Sequence, residues 1–503
     1  MTHSKATSMR TQLARGASLF ALVTSFTACG DDAIAQAPPP VPRTITGLAS
    51  VVVHDEAGRT TRFPIGLHDT SVSAQFPDGD GWDVRDGVTR ADGSFAIDDA
   101  VDGDYWLEVY DVISDQRQLL WTNATSLAFE EHGVGRGDVT LAGPSTTLTL
   151  GPIDGLDPAQ DGDSLDFSSG NLGIATFVPG VPQPGDTTVQ TRRAWAGRPL
   201  ISAARHDRIT LTQVRERVDA DTGVAYHTPI KSVTFDAIEQ RDGQDTAVTG
   251  TFATPPTLTY ELNWKRSAFA AASADANPRV GPVADEQFYL RAMPGGPAYG
   301  TSVFAPAVMV TGAPLPGTGD FDRTFELGQP YPATWLFNDF TMTFPVPLAV
   351  PGNPGVETAL PANVEVNTSE LPSAEHPVVP LVSPPRAPRI AQRDLFTDQT
   401  GVGLTPTLSW TAPAVGTPTA YIIQVLRWEL DFEAASFAPQ GTLVVPGDVT
   451  SVRMPAHMLE PSRHYVLIIE ALQQQDQDVR THGLYTVQVP YGSAQLVTAT
   501  FTP

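Results

Sequence analysis

The 503-residue chain contains a single cysteine, Cys29, which excludes an internal disulfide framework because a bridge needs two thiols. Basic residues are scarce, with 31 Lys and Arg against 56 Asp and Glu and a formal net charge of -25. A body that acidic, with no basic stripe, argues against nucleic acid and acidic lipid headgroups as partners. No apolar run is long enough to cross a bilayer as a helix. Local catalytic signatures are missing as well: there is no Gly-x-Ser-x-Gly elbow, His-Glu-x-x-His helix, Walker loop or Ser-x-x-Lys motif. That lowers the case for an enzyme without removing it, since a site assembled from distant residues leaves no local pattern. The ten histidines are scattered, and His206 and His227 have no ligand-like neighbours in sequence.

What is present begins at the first residues. Lys5, Arg10 and Arg15 form a basic head with no acidic residue before Asp31, and the apolar stretch 17–26 follows. This is the plan of an export signal. Ten residues rising about 1.5 Å each cannot span about 30 Å of hydrocarbon, so a permanent membrane helix is not expected there. Phe26-Thr27-Ala28-Cys29-Gly30 resembles the lipobox of bacterial lipoproteins. The resemblance implies cleavage after residue 28, acylation of Cys29, and a membrane partner reached through the N-terminal lipid. Gly30, rather than Asp, follows the cysteine, which in that family implies the outer membrane. Each buried methylene contributes about 0.8 kcal/mol, so two or three chains would anchor the protein firmly. Residues 29–43, with Pro38-Pro39-Pro40, read as an extended tether.

The rest of the chain is 41% apolar and punctuated by 42 Gly and 45 Pro. Short alternating runs between such turns predict an all-β, multidomain protein made of β-sandwiches. A first domain is expected over 44–118. Val72, Ala74 and Phe76 alternate, Asp92-Gly93 is a turn pair, Phe95 and Ile97 share one face, and Tyr105, Leu107 and Val109 share another after Gly103. The passage 89–110, ending Gly-Asp-Tyr-Trp-Leu-Glu-Val, resembles the carboxypeptidase regulatory-like, transthyretin-related sandwich, which implies a spacer or docking module without catalysis. Asp78-Gly-Asp-Gly-Trp-Asp83 lacks the alternate-ligand spacing of an EF-hand and reads as an exposed turn.

Residues 119–344 are expected to form one large β-rich domain, or two small sandwiches with a break near 293–319. Strands are predicted at 147–150, 209–214, 233–235, 248–252 and 257–262, and a helix over 267–276 capped by Ser267. Asp157, Asp161, Asp163 and Asp166 crowd hard oxygen ligands into ten residues. They are weak candidates for Ca²⁺, against the alternative of a solvated acidic turn; no other cofactor is expected. Arg136-Gly137-Asp138 resembles the tripeptide of integrin-binding loops. Trp195, Trp264, Trp335, Phe337 and Phe340 could line a carbohydrate or peptide groove, though such aromatics more often fill a core. The Pro-rich stretch 345–383 is expected to run over the surface as a connection.

Residues 384–503 are clearer. Trp410 ends an apolar strand, 420–428 forms another, and Leu459-Glu-Pro461 leads through Tyr465 to Leu467, Ile469 and Ala471 on one pleat face. This resembles a fibronectin type III domain, which implies core roles for Trp410 and Tyr465 and a tyrosine-corner hydrogen bond. Val466 and Ile468 point the other way, an apolar outer face suited to packing on the middle of the chain. The parts together predict a lipid-anchored envelope protein with a binding, adhesion or scaffolding role and an envelope-protein or carbohydrate partner. The alternatives are a hydrolase or metal-dependent enzyme with its site in the middle region, marked by His206, Asp207 and another acid in one cleft, and a calcium-stiffened rod.

Overall fold

The computed structural model describes residues 43–67, 70–111, 116–296, 306–311, 319–430, 435–475, 478–483 and 488–503. The expected signal, Cys29 and the tether up to residue 42 lie outside the described residues. The architecture is all-β: among the described residues, one eight-residue α-helix and two single-turn 3-10 helices interrupt a succession of strands. Turn-forming Gly, Asp and Pro cut the chain into segments whose alternate residues are apolar, and such segments are stable when two sheets bury their apolar faces against each other.

Four sandwiches result. In the first (43–134), Thr60–Pro64, Arg43–His54, Ser94–Ala100 and Val88–Thr89 form one sheet, with Ser126–Val134 laid parallel along Arg43–His54. The facing sheet holds Gly81–Asp86, Thr70–Asp78, Tyr105–Asp111 and Gln116–Thr122. Asp92-Gly93 does turn a hairpin, with Gly93 at φ +80°. The strands on either side of Gly103 do not pair; the turn carries the chain from one sheet to the other, so Phe95 and Ile97 meet Tyr105 and Leu107 within one core.

The second unit (140–253) packs Thr188–Ala194, Thr147–Asp154 and Asp245–Thr251 against Ser164–Ser169, Ile174–Phe177, Ile209–Val218 and Ala225–Phe235. The third (257–382) sets Thr257–Trp264 and Phe321–Gly328 over Asp285–Ala292, Ala307–Thr311, Leu336–Ala349 and Glu357–Thr368. The break between them falls at Thr254-Pro255-Pro256 and not within 293–319, because Ala307–Thr311 pairs with strands of both units. The helix runs Arg266–Ser273, shorter than expected. Ser267 does not cap it. Asp320 accepts both the Ser267 amide and hydroxyl, at 3.1 and 2.7 Å, and a carboxylate is the stronger partner for a helix N-terminus.

The largest departure lies at 345–383. Instead of a surface connection, its first part completes Leu336–Ala349 and Glu357–Thr368, two of the longest strands. Pro345 stands opposite Pro361 and Pro347 opposite Ala359. Prolines facing each other at non-hydrogen-bonded positions cost the ladder no donor, while Phe344, Val346 and Leu348, which alternate with Pro345 and Pro347, are buried.

The fourth unit (384–503) sets Arg386–Ile390, Thr407–Thr411 and Ser451–Arg453 against Ala435–Pro446, Ala420–Leu430, Tyr465–Gln474 and Tyr491–Val497. Trp410 and Tyr465 are core residues, and the Glu460 amide donates to the Tyr465 hydroxyl at 2.8 Å. This arrangement is consistent with a fibronectin type III-like domain. Val466 and Ile468 pack with Ala276, Val346, Leu348 and Ala362 of the third unit.

The units are not beads on a string. Ala307–Thr311 joins the second to the third, Glu357–Thr368 pairs with Tyr491–Val497 of the fourth, and Thr442–Val444 lies parallel to Gln118–Leu120 of the first. Among the described residues one 18-stranded sheet therefore runs through all four, and the boundary expected at 118 falls inside Gln116–Thr122. At this last joint Trp106 Nε1 donates to the Arg453 carbonyl, Trp82 Nε1 to the Met454 carbonyl, and Thr122 Oγ1 to the Arg480 carbonyl. Arg453 in turn donates to the Gly79 and Gly81 carbonyls, so the Asp78–Asp83 segment is a hairpin turn clasped by the fourth unit.

Candidate binding cleft

The residues singled out in the sequence are mostly committed elsewhere. Arg215, on Ile209–Val218, takes Asp157 at 2.5 Å and Asp163 at 2.7 Å. Burial pushes the Asp163 carboxyl up, but Arg215, the Gln160 amide and Gln213 outweigh it and hold it below its ordinary value. Asp166 is raised by burial and accepts from the Ser164 hydroxyl, and Asp161 is exposed. Two of the four carboxylates are thus neutralised by a guanidinium rather than gathered around a vacant centre. Among the described residues no group of three or more His, Cys, Asp or Glu is placed to hold a metal ion.

Arg136 is also spent. Its guanidinium grips the fully buried carboxylate of Asp207 through Nε at 2.8 Å and Nη2 at 3.0 Å, and donates to the Leu200 carbonyl. Asp138 is paired with Arg136 and Arg205. The tripeptide is a structural ion-pair network, with the Arg136 side chain only 8% exposed. Trp195, Trp264, Phe337 and Phe340 are core residues; Trp335, 9% exposed, borders a cavity described below. Because Arg136 draws Asp207 inward, His206 and Asp207 do not meet in one cleft. His227 stands 3.8 Å from Glu216 on the neighbouring strand.

The structure instead brings together, beside His206, residues that the sequence did not single out. Between Arg43–His54 and Thr60–Pro64, Asp55 accepts the amides of Ala57 and Arg59, both at 2.9 Å, closing a tight turn. The turn thrusts Glu56 out of the first unit into the second. There its carboxylate, 8% exposed, accepts the Gly170 amide at 3.0 Å and the Arg208 guanidinium at 2.6 Å, while the Glu56 amide donates to Asn171 Oδ1. Gly170 is required by this approach, since a Cβ there would lie 2.4 Å from Pro294 and 2.5 Å from Glu56. Around the contact lies a cleft of about 510 Å³ lined by Glu56, Arg59, Asn171, His206, Arg208 and Asp236. Behind the Glu56–Arg208 pair is a chamber of about 60 Å³ bordered by Ser168, Ser169, Thr210, Tyr331 and Trp335 with several prolines. The Asp-Glu-Ala-Gly-Arg turn was the one local signal of this site; its partners lie more than a hundred residues away. A second cleft, about 400 Å³, opens between the third and fourth units beside Glu370, His376 and Gln473.

No protein-family model and no curated protein matches the chain. Among solved structures, the FN1-FN3 domains of chicken CNTN1 align at 10% identity over 92% of this chain and 100% of that one, with a TM-score of 0.13. A streptococcal ancillary pilin aligns at 10% identity over 64% and 95%, with a TM-score of 0.11. The BSP domain of a biofilm associated protein aligns at 8% identity over 96% and 99%, with a TM-score of 0.13. Superpositions this loose carry no argument about activity, and the all-β class rests on the strands themselves.

Proposed function

We propose that the chain is a lipid-anchored component of the cell envelope with a binding or scaffolding role. The anchor is Cys29, on its resemblance to acylated lipoprotein cysteines, with the outer membrane as the favoured location. The first unit serves as the docking module that its carboxypeptidase regulatory-like passage suggests, and the fourth as a fibronectin type III-like module. The observation that carries the scaffolding reading is the continuous sheet: hydrogen-bonded strands across three joints make neighbouring units move together, which presents clefts at their junctions as fixed surfaces. The test is Cys29→Ala in the full chain, followed by membrane fractionation and mass measurement of the N-terminal peptide. The wild type is expected in the membrane fraction carrying acyl mass, and the variant in the soluble fraction. A variant that stays membrane-bound overturns the anchor.

A further inference from the structure

The rim of the second sandwich carries two cations with no counter-charge. Arg193 lies on Thr188–Ala194, an outer strand of its sheet, opposite the fully buried Leu148. Cross-strand partners share a face, so the Arg193 stem enters the edge of the core, and its guanidinium carbon stands 5.3 Å from the centre of the Phe167 ring. Trp195 meets Phe167 at 5.6 Å, and the Arg198 guanidinium stands 5.6 Å from the Trp195 ring. A tight turn, closed by the Arg198 amide donating to the Trp195 carbonyl at 3.0 Å, connects the two arginines. They are near enough to repel: burial lowers Arg193, and the charge of Arg198 lowers it further.

The chain has 56 acidic residues, yet among the described residues neither guanidinium has an ion pair or a hydrogen bond. The adjacent Arg192, by contrast, faces Asp245 at 3.5 Å. Only Nη1 of Arg193 is closed off from solvent; its Nε and Nη2, and the guanidinium nitrogens of Arg198, stay open. Nε and Nη2 are the edge with which Arg136 holds Asp207 in this same unit, so Arg193 presents an empty fork to the outside. Two forks suit a tetrahedral oxyanion with three terminal oxygens, whereas a carboxylate has two oxygens and fills one fork. Two positive charges also match a phosphate near its dianionic form. The acidity of the whole body acts weakly here, since exposed charges beyond about 8–10 Å are screened at physiological salt. We infer that the Arg193–Arg198 rim binds a terminal phosphate group, free or esterified through one oxygen. This gives the binding reading a ligand class and is independent of the lipid anchor, which fractionation tests separately.

The probes are inorganic phosphate and glucose 1-phosphate, titrated by calorimetry into the full-length protein in non-ionic detergent, with acetate as the carboxylate. Phosphate is expected to bind saturably and more weakly as salt rises, and acetate about tenfold more weakly than phosphate, the cost of one charge-assisted hydrogen bond. Arg198→Gln, at a partly buried side chain with no polar partner to orphan, is expected to lose about tenfold in phosphate affinity. Phenylglyoxal modification of the wild type, read by peptide mass, gives a second readout that needs no variant. Phosphate should slow the reaction at Arg193 and Arg198 and leave the exposed Arg323 unchanged. Binding of both probes assigns an esterified source and binding of inorganic phosphate alone a free one, and either upholds the proposal. Absence of saturable binding by both, acetate binding as tightly, an unchanged affinity in Arg198→Gln, or equal protection of Arg323 overturns it.

Discussion

At the scale of single residues, the strongest constraints are buried polar groups that satisfy one another. His54 Nε2 and His132 Nδ1 lie 2.8 Å apart on adjacent parallel strands, with the rings stacked at 15°. One nitrogen donates and the other accepts, which requires an unprotonated acceptor. Burial lowers His132 from 6.5 to about 4, reinforced by repulsion from His54 and Arg62, and burial also lowers His54 against the opposing pull of Asp55. Glu130, 3.6 Å from His132 Nε2, is the facing acid, and it is itself paired with Arg62. Since both folded-state values lie below the unfolded one, the unfolded chain takes up these protons first. The pair's contribution is complete above about 6.5 and is lost as pH falls to about 4. Urea midpoints measured from pH 7 to pH 4 should therefore fall for the wild type, and more shallowly for His132→Asn.

At the scale of elements, close approach is bought by the absence of a side chain. Gly170→Ala would push a methyl group into Pro294 and Glu56 at the meeting of three units, and overpacking of this kind costs about 1–3 kcal/mol. The expected outcome is a lower urea midpoint and faster amide exchange at Asn171, and an unchanged midpoint would show that the junction yields freely. Elements were also the most legible level of the sequence. Val72, Ala74 and Phe76 alternate as read, and all three are buried, because period-two patterning is a local property. Residues 345–368 depart from the expected surface connection because Pro345 and Pro361 oppose each other across a ladder, where neither removes a strand hydrogen bond. The candidate cleft was almost wholly illegible: Glu56, Gly170 and Arg208 meet only after two sandwiches have formed, and the local sequence marks the turn that carries Glu56 but not the partners it meets.

At the scale of the whole molecule, shared strands and shared cores couple the four units. One hydrophobic cluster holds Trp106 of the first, Tyr226 of the second, Phe288 of the third and Tyr465 of the fourth. Calorimetric unfolding should therefore give a single transition, with the van't Hoff and calorimetric enthalpies close to each other. Well-separated transitions for individual units would contradict this coupling.

The parallel pairing of Gln118–Leu120 with Thr442–Val444 also bears on how the chain is made. The first sandwich is synthesised with one edge strand unpaired, and its partner arrives only after some three hundred further residues, as the separation of 358 between Thr122 and Arg480 illustrates. Contacts that distant form slowly, and an open strand edge invites pairing with other chains in the interval. Assembly of this protein is thus a matter of timing: its earliest-made part reaches its final state last, and shielding that edge until the C-terminal sandwich arrives is the step on which yield depends.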